Sequence, residues 1–182
     1  MTVNTFEQLI AEWYELRGYF VRRNIPVGKG AKGGWEGELD VVAFHPSTKH
    51  MVHIEASTSG DSWKKLKPRI EKQFAAGRTH IPLLYPNLDL PSGIDQIFVL
   101  YRRMRSDKQI EGVQMVPFED LLNEMRDYLK LRDIHKAKVP ETFSLLRVLH
   151  HAVYYRPASC ASEADSATKG RRKAGSASRR KV

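Results

Sequence analysis

Two acidic residues sit inside otherwise apolar stretches: Asp40 in Leu39-Asp40-Val41-Val42-Ala43-Phe44, and Glu55 in Met51-Val52-His53-Ile54-Glu55-Ala56. A carboxylate in such surroundings is costly unless something pairs with it. The turn-forming run Pro46-Ser47-Thr48-Lys49 separates the stretches, so they read as an antiparallel hairpin with His45 facing His50. Five residues back from His45 and five on from His50 lie Asp40 and Glu55. They are therefore placed directly opposite each other, with Cβ atoms about 4.5–5.5 Å apart. Like charges so placed repel, and a bridging cation removes the conflict. Two carboxylates plus water suit Mg²⁺, with Mn²⁺ as the alternative. The register matters, because a slip of one residue turns one carboxylate away. The competing reading is an exposed acidic pair neutralised by Lys or Arg; the apolar neighbours of both residues favour strands buried on both faces.

Around this pair stand residues suited to phosphate. Pro26 to Gly37 reads as a Gly-rich loop whose Lys29 and Lys32 contact a nucleic-acid backbone. Gly28-Lys29-Gly30-Ala31-Lys32-Gly33 spells GxGxxG, but that fingerprint must open a helix, and here a strand follows. Ser62 to Ala76 reads as a helix bearing Lys64, Lys65, Arg69 and Lys72. Lys65, Arg69 and Lys72 share one of its faces, although plain solvation is the usual fate of surface lysines. His53-Ile54-Glu55 matches the HxE of zinc deaminases, yet no CxxC completes that site. His45, His50 and His53 make a poor zinc set with Cys160, which falls in the tail. Arg102, Arg103 and Arg105 follow a strand and offer a DNA-facing patch, with simple solvation as the commoner fate of such a cluster, and His150-His151 are accounted for by packing or surface exposure.

These residues need elements to position them. Thr5 and Gln8 read as a capping box opening a helix with Phe6, Leu9, Ile10, Trp13 and Leu16 at helical spacing, stopped by Gly18. Strands are predicted over Tyr19 to Ile25, Glu38 to His45 and His50 to Ala56. The helix from Ser62 ends at Gly77, with Pro68 as an awkward interior residue. Strands follow over His80 to Tyr85, Gln96 to Tyr101 and Val113 to Val116, then helices over Phe118 to Leu131 and Thr142 to Tyr155. The fold class is α/β, a central mixed sheet flanked by helices.

At 182 residues and 41% hydrophobic, the chain can bury a core without a disulfide, which a lone Cys160 could not form internally. The longest clean apolar run, Ile97 to Tyr101, has five residues, against roughly 20 needed to cross a bilayer. Met1 to Glu15 shows no signal-peptide pattern, so the expectation is a soluble, cytoplasmic protein with no membrane partner. The formal charge is +9. Residues 157–182 hold seven basic side chains against Glu163 and Asp165, with no aromatic residue. That composition reads as a disordered basic tail, either solubilising or a nucleic-acid tether, behind one domain over 1–156. The remaining body is mildly basic, which permits polyanion binding.

The arrangement resembles the PD-(D/E)XK, or restriction-endonuclease-like, nuclease superfamily over about Thr5 to Tyr85. Its αβββαβ core has a helix, a three-strand meander and an αβ unit. Glu7 in the first helix, Gly37-Glu38-Leu39-Asp40, and Ile54-Glu55-Ala56-Ser57 match, in turn, the helical Glu, the Gly-Glu-hydrophobic-Asp segment and the strand ending in Glu-x-Lys. The resemblance implies that Asp40, Glu55 and the Ala56 carbonyl bind Mg²⁺, that Glu7 completes the site, and that DNA is the partner. Ser57 departs from the pattern, standing where the lysine belongs. Some branches move that lysine to the next helix, which makes Lys72 the expected substitute. The implied activity is metal-assisted DNA hydrolysis; the alternative is a catalytically impaired DNA-binding module of the same fold. Cleavage of both strands would suit a homodimer.

Overall fold

The computed structural model describes residues 4–31, 33–103 and 108–155. Lys32, Arg105, Cys160 and the basic segment 157–182 lie outside them. Helix α1 (Thr5–Leu16) is capped by Asn4, whose Oδ1 accepts the Phe6 N–H at 3.1 Å, and not by the expected Thr5. Asn is a stronger cap than Thr, and the shift places Glu7 in the first turn. Gly18, at φ 91°, ends the helix turn as its type suggests.

Strands β1 (Phe20–Lys29) and β2 (Trp35–His45) form a long hairpin paired from Phe20↔Phe44 to Lys29↔Trp35. Most of the stretch expected to be a Gly-rich loop is therefore strand. Val27 within it, and Ile25 and Leu39 on either side, bury against other apolar residues, and that gain outweighs the turn propensity of the glycines. Strand β3 (His50–Ser57) pairs with β2 in the register read from the turn, His45↔His50 through Val41↔Ile54. Helix α2 (Trp63–Leu84), strands β4 (Asp95–Leu100) and β5 (Val113–Pro117), and helices α3 (Phe118–Lys130) and α4 (Ser144–Tyr154) follow.

The sheet order is β1-β2-β3-β4-β5, antiparallel through β3 and parallel from β3 to β5. It is an α/β architecture with a five-stranded mixed sheet flanked by helices. One face carries α1, α3 and α4 around Phe6, Ile10, Trp13, Val41, Ile54 and Met125. On the other, α2 sets Leu66, Ile70 and Phe74 against Phe98 and Leu100, and Ala76 and Ile81 against Val42, Phe44 and Met51. Among the described residues, no helix is long and apolar enough to cross a membrane.

The expected strand His80 to Tyr85 is instead the last turns of α2 and its C-cap, and Gly77 does not stop the helix. Ile70, Phe74, Gly77 and Ile81 keep a helical period across it, and all four are buried. Gly77 serves a close approach: a Cβ built there falls 2.2 Å from His53 Nδ1. Gly-to-Ala substitution inside a helix ordinarily stabilises by about 1 kcal/mol. Gly77→Ala is expected to destabilise by about 1–3 kcal/mol, the usual cost of overpacking, seen as a lower urea midpoint. A midpoint at or above the native one would show that α2 does not press on His53.

Candidate functional site

The site is built where β2 loses its neighbours. The β2–β3 ladder ends at Val41↔Ile54, one residue short of Asp40 and Glu55. Beyond it, side chains take over from the backbone. The Ala56 N–H donates to Asp40 Oδ2 at 2.9 Å, and the Asp40 N–H reaches Glu55 Oε1 at a long 3.4 Å. On the other edge the β1–β2 ladder runs through Arg23↔Val41 and Ile25↔Leu39 but skips Asn24, which lies opposite Asp40 with φ 50°. A non-glycine residue in that region is strained, and such strain clusters at functional sites. The Asn24 Oδ1 is buried without a partner.

Glu55 is 1% exposed, which removes the reading of an exposed, solvated acidic pair. Its Oε1 lies 2.7 Å from His53 Nε2, whereas its Oε2 is buried with no hydrogen-bond partner. Burial pushes the Glu55 pKa up to about 8; the Asp40 N–H and Arg69 act against this, and the Glu7 charge adds to it. Asp40 is raised to about 7 by burial and then by the Glu55 charge, with the Ala56 N–H opposing. Glu7 is also raised to about 7, by burial and then by Asp40, with Glu38 adding a smaller push. Three carboxylates from α1, β2 and β3 thus share one field and resist ionising together. Buried His53 is pushed the opposite way, down to about 3, chiefly by desolvation and then by Arg78.

Ser57 ends β3 and gathers a cation. Its Oγ accepts from Arg69 Nη2 at 3.3 Å and from the Ser59 N–H at 3.2 Å. Arg69 also pairs with Asp61 at 3.6 Å. It therefore brings a positive charge to the strand end where Ser57 stands in place of a lysine. Lys64, Lys65 and Lys72 are exposed on α2, and among the described residues no hydrogen bond or ion pair holds Lys72. Lys29 is exposed near the end of the β1–β2 hairpin, paired in the ladder with Trp35. A small pocket of about 160 Å³ opens beside Ser57, bounded by Trp63, Tyr101, Arg102 and Lys108. It lies where the parallel strands β3 and β4 end at Ser57 and Leu100, the usual place for ligands in open α/β sheets. The other histidines are engaged elsewhere: His50 bridges Tyr19 and Asp95, and His45 accepts from the Thr48 N–H.

Among the described residues, no group of three or more His, Cys, Asp or Glu side chains forms a ready metal cage. What fits a hard cation here is the oxygen donor set of Asp40 and Glu55, with one Glu55 oxygen lacking any protein partner. Asn24 and His53 escaped the sequence reading as site residues. Asn24 carries no pattern signal, and the sequence offers His53 only as a zinc ligand, in His53-Ile54-Glu55 and beside His45, His50 and Cys160, readings it discounts. No family model matches the chain, and no curated protein matches it.

The raised carboxylates set a pH dependence. In the folded state they hold protons that the unfolded chain releases near its ordinary values of 3.8 and 4.5. With EDTA present, stability is expected to fall as pH rises from about 5 to about 8 and then level off. His53 opposes this between about 3 and 6.5, because the unfolded imidazole takes up a proton that the folded one refuses. Three groups outweigh one. Urea midpoints across this range check the expectation, and Glu55→Gln should flatten the slope; an unchanged slope would remove Glu55 as its source.

Proposed function

We propose that the chain is a metal-dependent nuclease that hydrolyses DNA phosphodiester bonds on a restriction-endonuclease-like αβββαβ core. The observation that carries this reading is the Asp40–Glu55 pair, held side by side where β2 is unpaired, with Glu55 Oε2 unpartnered. The element order α1-β1-β2-β3-α2-β4 agrees with such a core. Asp40, Glu55 and the Ala56 carbonyl hold Mg²⁺ or Mn²⁺, with Glu7 as the further carboxylate. When bound there, the ion lowers the pKa of a water and offsets charge on the phosphate.

The chain's own residues do the remaining work. Arg69, hydrogen-bonded to Ser57 and acting on Glu55, carries the positive charge that the missing lysine would supply. Its planar guanidinium suits a phosphate and stays charged. Lys29, Lys32, Lys64 and Lys65 contact the DNA backbone, joined by Arg102 and Lys108 beside the pocket. Cation neutralisation also answers the repulsion among Glu7, Asp40 and Glu55, which otherwise opposes folding at neutral pH. The second reading, a catalytically impaired DNA-binding module, is favoured by Ser57 itself and by the sharing of Arg69 with Asp61.

Incubation with supercoiled plasmid and Mg²⁺ or Mn²⁺, beside an EDTA control, tests both. Nicking that depends on the metal and disappears in Asp40→Ala and Glu55→Ala is the expected result. Arg69→Ala should lower the rate by about 10²–10³-fold, as loss of a transition-state charge partner does, and Lys72→Ala should stay close to the native rate. Salt-sensitive DNA binding without nicking would favour the impaired module. Neither nicking nor binding would sink both readings.

A further inference from the structure

His53 has no part in the chemistry above, yet its side chain has no exposed surface. It precedes Glu55 by two residues on β3, so both side chains leave the same face of the strand. Its Nε2 stands 2.7 Å from Glu55 Oε1. The ring is fixed on two sides: Phe74 meets it edge-on at 5.0 Å and 74°, and Gly77 leaves no room for even a methyl group beside Nδ1. Nδ1 has no hydrogen-bond partner. A proton there would be a buried donor facing a helix backbone without an acceptor, so the neutral imidazole carries its proton on Nε2. With Glu55 ionised, that Nε2–H donates to Oε1. The Asp40 N–H is directed to the same oxygen. Both donors act on Oε1, and neither acts on Oε2.

We propose that His53 is a positioning residue: its Nε2–H pins Glu55 Oε1 so that Oε2 is the oxygen presented to a divalent cation shared with Asp40. The inference rests on the metal-site reading above. Outer partners that orient a ligating carboxylate typically govern metal affinity by about 10–100-fold. Helix α2 would then tune the site from behind, since Phe74 and Gly77 hold the ring that holds the carboxylate.

The test is Mn²⁺ binding to the full chain, read by the EPR signal of free Mn²⁺ and by calorimetry, for the native protein, His53→Leu and His53→Gln. His53→Leu keeps the volume and removes the donor; it should bind about 10–100-fold more weakly while unfolding as cooperatively as the native chain. His53→Gln keeps an N–H donor and should recover most of the affinity, which a purely space-filling role would not predict. Equal binding by the native protein and His53→Leu would overturn the inference and leave the metal site standing. No saturable Mn²⁺ binding by the native protein would overturn the metal-site reading and the inference with it. Long-range ¹⁵N spectra of the native imidazole in saturating Mg²⁺, which holds Glu55 ionised, give a check that needs no variant to fold: a protonated Nε2 is expected, and a protonated Nδ1 would overturn the proposal.

Discussion

Two carboxylates on neighbouring strands, one fully buried and one half-buried, are the constraint from which the rest of this structure follows. Asp40 and Glu55 repel each other and lose hydration together, and no Lys or Arg forms a direct ion pair with either among the described residues. The sheet accommodates them by giving up regular pairing at that point. The Asp40 and Ala56 N–H groups turn onto the carboxylates, and Asn24 adopts a left-handed conformation across from Asp40. Such a conformation costs of order 1–3 kcal/mol. A chain selected only for stability has cheaper residues for both acidic positions.

Helix α2 ties the site to the fold in three ways. Leu66, Ile70, Phe74 and Ile81 bury its apolar side on the sheet. Gly77 and Phe74 hold His53, which in turn contacts Glu55. Arg69 swings from the same helix onto Ser57 at the end of β3. A change in the phase or tilt of this helix therefore moves core packing, carboxylate orientation and local positive charge together. The opposite face, packed by α1, α3 and α4, contributes Glu7 through the first turn of α1.

Much of this was legible because it is local. The β2–β3 register follows from a turn and period-two alternation: the ladder runs from His45↔His50 to Val41↔Ile54 as the turn predicts, and stops one residue short of the acids expected to face each other in it. The α1 capping box failed by one residue, since Asn4 and Thr5 are both cap formers and their relative strength decides. Two errors have a common cause. Gly77 read as a helix stop and Pro26 to Gly37 as a loop, because glycine marks both chain reversal and close approach, and only the neighbour distinguishes them. At Gly77 that neighbour is His53, 24 residues earlier in the chain.

The sequence by itself determined the α/β class, the hairpin that sets Asp40 beside Glu55, and the helix that carries the nearby cations. Each depends on a period or a turn spanning few residues. Tertiary structure alone decided which cation reaches Ser57, because Arg69 and Lys72 share a helical face and only the seating of α2 on the sheet separates them. It also decided that His53 meets Glu55 rather than solvent, that Asn24 faces Asp40, and that Glu55 keeps one oxygen free. Those outcomes are distances between elements far apart in the chain, fixed by how side chains fill the space between a sheet and a helix.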